Sequence, residues 1–421
     1  MHRIAEPPVA QMQDSRSRSP TAFIALAAGV AIANNYTLQP ALPAVAHTFG
    51  VPLSAMGFVA GSMQVGYMLG ILLLTPFGDK CSPARIVSWQ FVALSVALVV
   101  AGCAPSLAAL TVAGCVMGAT ATNAVHLATI AFRTAPPNAK GRAVGTVGTG
   151  ISAGILLSRF VGGLMSEAVG WRAMLLLFGV AALVLAALSH RLLPKDRPQS
   201  TSSYLGLLKS LPTLLRKHAL LREGVLVGAC WFGVFSAIWV TLVLEVAGPP
   251  LNLNTAQAGL FSFAGVLGLF ATRAAGRASD RFGHRPVIVT GLLLVLAGLA
   301  LLLVTHASVV GTAAGLVLFD VGCFSAQVAN QTRLMAIDAN ARSRIYTVYM
   351  FGYYAAGAFG SIVGPWILLR GGWTTVCAVS MATALVALVV TGMQQVLGER
   401  PSRRDSNAAP ATVGHAKPET R

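Results

Sequence analysis

The sequence predicts an all-α integral membrane protein of twelve transmembrane helices in two pseudo-symmetric six-helix bundles. Three observations predict it. The 421-residue chain is 55% hydrophobic and only 10% charged, with a mean hydropathy of +0.71, whereas an average soluble domain carries roughly a quarter charged residues. Apolar runs long enough to cross a bilayer recur along it, and short motifs of the first half return about two hundred residues later. Twelve spans of about 20 residues would occupy roughly 240 residues, close to the apolar total. The composition excludes a soluble enzyme, a disulfide-stapled secreted module and a disordered chain.

Residues 1–20 are polar and contain Pro7, Pro8 and Pro20, so a disordered cytosolic lead is expected. The first apolar run follows at once. It is longer than a signal-peptide core, carries Asn34 and Asn35, and is read as a retained helix. The expected spans are 21–47, 54–77, 84–104, 107–132, 142–167, 172–193, 223–247, 256–276, 286–305, 308–334, 343–368 and 373–396. In hydrocarbon, backbone polar groups must be satisfied within one segment, and the runs lack the period-two alternation of barrel strands, so each is a helix. The polar stretch 194–222 divides the chain into bundles 21–193 and 223–396, and residues 204–217 are expected to form an amphipathic surface helix. The tail 397–421 is polar and reads as disordered.

The formal net charge is +17, and its distribution assigns it to topology. With the N-terminus inside, 27 of the 30 Lys and Arg fall in cytosolic segments, Arg172 and Arg370 fall outside, and Arg159 lies within a span. Such asymmetry is the positive-inside pattern, and it accounts for the basicity through the bilayer and its anionic headgroups, with no nucleic acid partner. Both termini are then cytosolic, in a multi-pass protein expected in a bacterial inner membrane. The six cysteines are scattered, with no CxxC or Cys/His spacing, so no metal, cofactor or disulfide framework is expected.

The repeat is nearly constant in offset. Asp79-Lys80 matches Asp280-Arg281 (201 residues apart), and Gly141-Arg142 matches Ser343-Arg344 (202). Val161-Gly162-Gly163 matches Val363-Gly364-Pro365, and Gly170-Trp171 matches Gly372-Trp373 (both 202); Arg133 matches Arg333 (200). Duplicated halves are the architecture of a secondary transporter with its site near the midplane.

The sharpest motif, between spans eight and nine, is Gly276-Arg277-Ala278-Ser279-Asp280-Arg281-Phe282-Gly283-His284-Arg285. With twelve spans around it, this stretch closely resembles the signature loop of the major facilitator superfamily. The first-half copy keeps Asp79, Lys80 and Arg85. The resemblance implies a cytosolic gate in which these carboxylates make charge contacts: Arg333 or Arg142 for Asp280, and Arg133 or Arg344 for Asp79. Span five is glycine-rich from Gly148 to Gly163 and resembles the antiporter motif of the drug:proton antiporter branch, with Arg159 where that motif has proline and Ser158 where it has glycine. The stretch from Pro136 to Trp373 is similar to bacterial arabinose-efflux-type permeases.

Charges inside spans are few and costly, about 2.5–3.5 kcal/mol each on insertion scales, so they mark functional positions. Asp320 is about 18 Å into span ten, near mid-membrane, and Arg159 is about 25 Å along span five. Burial disfavours a carboxylate and a nearby guanidinium favours it. An aspartate alternating between such settings takes up and releases a proton. Asp320 is therefore the proton-coupling candidate, with Arg159 as its partner or as an anion site; His126 is a further titratable candidate. In the resembled superfamily spans one, four, seven and ten line the central cavity. This implies Asn34, Asn35, Tyr36, Gln39, Asn123, Trp231, Phe235, Trp239, Gln327 and Asn330 as cavity residues. Amides and aromatics together suit a small amphipathic organic solute.

The function expected from sequence is secondary active transport: proton-coupled efflux of such a solute by alternating access, in a monomer. The alternative is a proton-coupled importer (symporter) of the same fold. An enzyme is disfavoured, because no metal cluster, nucleophile elbow or HExxH motif is present. A membrane sensor would want a large soluble domain.

Overall fold

The structure, a computed structural model, describes residues 21–75, 77, 81–136, 139–196, 204–338 and 341–398. Every regular element among the described residues is helical. In chain order they are α1 (Thr21–Ala33), α2 (Leu42–Phe49), α3 (Met56–Leu73), α4 (Pro83–Gly102), α5 (Leu107–Ala121), α6 (Asn123–Thr134), α7 (Lys140–Val169) and α8 (Trp171–Leu192). There follow α9 (Tyr204–Lys217), α10 (Ala219–Val246), α11 (Thr255–Leu260), α12 (Ala264–Phe282), α13 (His284–Thr305), α14 (Val309–Met335) and α15 (Arg342–Gly398).

Local chemistry sets the ends. The Ser106 hydroxyl accepts from the Ala109 amide (3.3 Å) to start α5, and the Ser308 hydroxyl accepts from the Gly311 amide (3.2 Å) to start α14. Asn254 and Gln257 form a reciprocal capping box at α11 (2.8 and 3.0 Å). Each satisfies amide donors that a helix start leaves without partners.

Ten helical stretches among the described residues are long and apolar enough to cross a membrane; one, Arg344–Met393, is long enough for two crossings, and Thr21–Ala33 is a shorter apolar helix. The long stretch is divided at Gly372, where φ is 69°. Gly170 opens α8 with φ 82°, a region that favours glycine. These two positions are the repeat's Gly-Trp pairs. Each following indole is tied down: Trp171 Nε1 donates to Thr48 Oγ1 (3.1 Å), and Trp373 Nε1 to the Leu302 carbonyl (3.0 Å).

Three expected spans are broken. Span one is not continuous over 21–47: α1 stops at Ala33, and a turn and a 3-10 segment (Gln39–Ala41) precede α2. Pro40 and Pro43 lack the N–H that would carry the helical ladder through. Span four breaks at Thr122 between α5 and α6, and span eight begins as α11 with a 3-10 turn before α12. A helix spans the residues expected for the surface helix, as α9, where the Arg344 guanidinium donates to the Ser210 hydroxyl (3.4 Å).

Within the first bundle α1 packs on α7, α3 on α5 and α4 on α8; within the second α10 packs on α15, and α13 and α12 on α14. Small residues set the closest contacts. A Cβ on Gly118 would collide with the Met63 carbonyl oxygen, and one on Gly66 with that of Cys115. Gly118→Leu is therefore expected to force α3 and α5 apart and abolish the monodisperse peak in size-exclusion chromatography. Gly145→Leu, with open space at that position, should leave the peak intact.

The bundles meet along α3 and α15 and between α7 and α11. These contacts lie toward the end opposite the basic loops. A Cβ on Gly57 would press on the Ser361 and Ile362 carbonyls, and one on Gly259 on the Arg159 carbonyl. Thr255 Oγ1 donates to Glu167 Oε2 across the same junction (2.6 Å). At the basic end Gly141, Gly145 and Gly148 of α7 face open space. The molecule is thus closed at the far end and open at the basic end.

Candidate functional site

A central cavity of about 560 Å³ runs from Tyr36 and Phe235 at mid-depth to Thr75 and Arg342 at the basic end. A second, of about 800 Å³, opens between the basic halves of α7, α12 and α14 and shares Ile151, Ile155, Phe324, Gln327 and Gln331 with the first. The wall from α10 and α15 is aromatic. Phe232 stacks on Tyr353 with centroids 3.6 Å apart, Trp231 meets Tyr353 edge-on at 5.1 Å, and Tyr67 of α3 stacks on Tyr354 across the bundle boundary at 4.2 Å.

Behind Tyr36 and Phe235 lies a buried polar chain that crosses between bundles. Arg159 of α7 is 2% exposed, and its Nε donates to Gln39 Oε1 (2.8 Å). Its guanidinium carbon lies 4.8 Å from the Tyr36 ring, 4.3 Å from Trp239 and 5.9 Å from Phe235. Such contacts are worth about 2 kcal/mol when desolvated. Its Nη2 has no hydrogen-bond partner among the described residues. Trp239 Nε1 in turn donates to Asp320 Oδ1 (3.2 Å), and Asp320 is 1% exposed. Asp320 and Arg159 share no direct ion pair; the Trp239 ring links them. A Cβ on Gly265 of α12 would press on Leu156 and on Asp320 Oδ2, so the glycine leaves room for that carboxyl group.

The remaining sequence candidates divide. Tyr36, Trp231, Phe235 and Gln327 line the central cavity. Gln39 and Trp239 belong to the buried chain behind it. Asn35 donates toward Gln64 (3.5 Å). Asn34 donates to the Val30 carbonyl (2.7 Å) and borders a groove between α1 and α7 instead. Asn123 ties α6 to the Val87 carbonyl (3.1 Å), and Asn330 ties α14 to the Gly224 carbonyl (2.8 Å). These three amides spend their donors on backbone carbonyls, and none of them is among the residues that line the central cavity. His126 is buried, while its neighbours Val125 and Ala128 line the cavity.

The loop motif needs one correction. Arg333 does not pair with Asp280: it is buried on α14 and donates to Glu223 Oε1 (2.8 Å) and Asn330 Oδ1 (2.8 Å). Arg285 reaches the other Glu223 oxygen at 3.5 Å. Asp280 is exposed on α12, with Gly276 a turn before it and Arg281 over the Phe282 ring at 5.1 Å; Gly283 joins α12 to α13. Arg142 is exposed at the start of α7, and Arg133 in the last turn of α6. Asp79 and Lys80 lie outside the described residues. Glu223 was missed from sequence because it stands at the edge of the linker. The signal was available in Arg285, an arginine at that bundle end with no acid assigned to it.

Comparison with known proteins agrees with this architecture. The chain matches the Major Facilitator Superfamily over residues 24–358 and again over 274–418. It is 31% identical over 368 residues to an uncharacterized transporter, YgaY, of Escherichia coli O157:H7, covering 87% of this chain and 93% of that one. It is 30% identical over 374 residues to a probable transporter of Streptomyces coelicolor, covering 88% and 86%. Among solved structures it resembles the nucleoside transporter NupG with a TM-score of 0.73 at 14% identity, covering 88% of this chain and 99% of that one. This match over nearly the whole chain, with apolar helices among the described residues that fit a twelve-crossing fold and a central cavity closed at one end, shows that the chain is a multi-pass membrane transporter of the major facilitator superfamily.

Proposed function

We propose that the protein is a proton-coupled secondary transporter of a small amphipathic organic solute, working by alternating access as a monomer. The observation that carries this reading is the buried chain Gln39–Arg159–Trp239–Asp320. It holds a carboxyl group and a guanidinium, one on each bundle, where the bundles must part if the far end is to open. Charges so placed are costly in a membrane and are retained for a task. The positive-inside rule supports a cytosolic assignment for the basic loops and both termini, so the described conformation is the one open to the cytosol, in the inner membrane of a bacterium. Rocking would carry Arg159 away from Trp239 and re-expose Asp320 toward the opposite side. The aromatic wall offers ring faces for an apolar body, and Gln327 and Gln331 offer orienting polar groups.

The likeness of span five to an antiporter motif supports export in exchange for protons. A second reading, solute and proton moving together, is supported by the charge of the cavities: Arg342, Arg142 and Arg273 line them, with no Asp or Glu among the described lining residues. Solute accumulation in everted vesicles, with and without an uncoupler, tests the proposal. Uptake that collapses with the proton gradient supports coupling; uptake indifferent to it refutes coupling.

A further inference from the structure

The charges along the cavity specify which solute fits and how its binding is tied to the proton. Arginines stand at the mouth on three different helices: Arg142 on α7, Arg273 on α12 and Arg342 on α15. At the closed end sits Arg159, packed against the Tyr36 and Phe235 rings that line the cavity. Its neutral partner Gln39 supplies no charge, and its Nη2 donor is unsatisfied in a site almost without water access. A buried donor on a charged group is costly to leave without an acceptor. The acid that answers Arg159 is Asp320, reached only through Trp239, and Asp320 belongs to the other bundle.

We propose that the transported solute is an organic anion, its acidic group landing on Arg159 and its aromatic or apolar body lying along the α10–α15 wall. The anion and a proton on Asp320 then occupy the protein together. This rests on the reading of Asp320 as the proton site and deepens it. The groups facing Asp320 are Arg159 from α7, the uncharged Trp239 from α10, Gly265 from α12, and Cys323 one turn along α14; Tyr36 lies beyond Arg159. With Asp320 ionised, the pair is neutral and an incoming anion meets a second carboxylate. With Asp320 protonated, Arg159 is left without a counter-charge, and the anion restores neutrality. Each ligand therefore tightens the other, by reciprocity of coupled binding. Ligands that bind together are carried together, so anion and proton cross in the same direction. A cationic solute would instead compete with the proton for Asp320, which is the logic of exchange.

Purified protein in detergent tests this with three probes of one shape: 2-naphthoate, 2-naphthamide and 2-naphthylmethylammonium. Binding is followed by tryptophan fluorescence, and proton movement by a pH indicator in weak buffer. Naphthoate is expected to bind more tightly than the other two by on the order of tenfold or more, and to take up protons as it binds. Arg159→Lys, which keeps the charge, should keep the preference, while Arg159→Gln should lose it; circular dichroism checks that both remain folded. Asp320→Asn should bind naphthoate without proton uptake. Preference for the amide or the amine, binding of none of the three, or proton release on naphthoate binding each overturns the proposal. If Asp320→Asn loses pH-driven transport yet naphthoate releases protons, only this inference falls. If that variant keeps pH-driven transport, the reading beneath it falls as well.

Discussion

Asp320→Asn is expected to abolish pH-gradient-driven transport in proteoliposomes while solute binding and counterflow exchange persist. The amide oxygen can still accept from Trp239 Nε1 at the position of Oδ1, 3.2 Å away in the native protein, so the link to Arg159 keeps its geometry. What the variant loses is the choice between a charged and a neutral state. Alternating access continues without a proton to carry, and transport becomes downhill exchange. Wild-type rates should respond to an imposed pH difference and variant rates should be flat with pH. A variant as tightly coupled as the parent would remove Asp320 from the proton pathway.

Glu223→Ala is expected to cost about 3–5 kcal/mol of stability, because it strands Arg333 in the second bundle without its counter-charge. Both side chains are nearly inaccessible, at 1% for Glu223 and 7% for Arg333. Asn330, whose amide already donates to the Gly224 carbonyl, cannot neutralise the guanidinium. Glu223→Gln should cost less, since an amide oxygen still accepts from Arg333. Replacing both partners, Glu223→Met with Arg333→Met, should recover much of the loss, as apolar pairs of similar volume commonly do. Thermal unfolding in detergent measures the series. Equal melting of Glu223→Ala and the native protein would show that the ion pair contributes nothing.

Much of the architecture was legible in the sequence because lipid imposes long apolar runs and their ends fall at charged residues, Gly and Pro. α7, α8, α13 and α14 begin and end within a few residues of the expected spans. Breaks inside a run were harder to read. Pro40 and Pro43 marked the first, but Thr122 gives no sign in the sequence that α5 stops there. Asp320 and Arg159 were visible as charges in apolar surroundings. Trp239 between them was not, because a ring contact depends on how two helices are rotated, which composition does not encode. Asn123 and Asn330 show the same limit: their acceptors, Val87 and Gly224, lie 36 and 106 residues away. The loop resemblance offered Arg333 or Arg142 for Asp280, whereas burial places Arg333 against Glu223.

The interrupted first span gives the two halves different mechanical character. Its counterpart α10 runs 28 residues without a break, while the turn after Ala33 mixes three- and four-residue hydrogen-bond spacings through Asn35, Tyr36, Thr37 and Gln39. A backbone loosened in this way is where deuterium should enter first within the lipid-embedded part, and α10 where it should enter last. Duplication supplied two similar halves, and a pair of prolines in one of them made it the compliant partner of a stiffer twin.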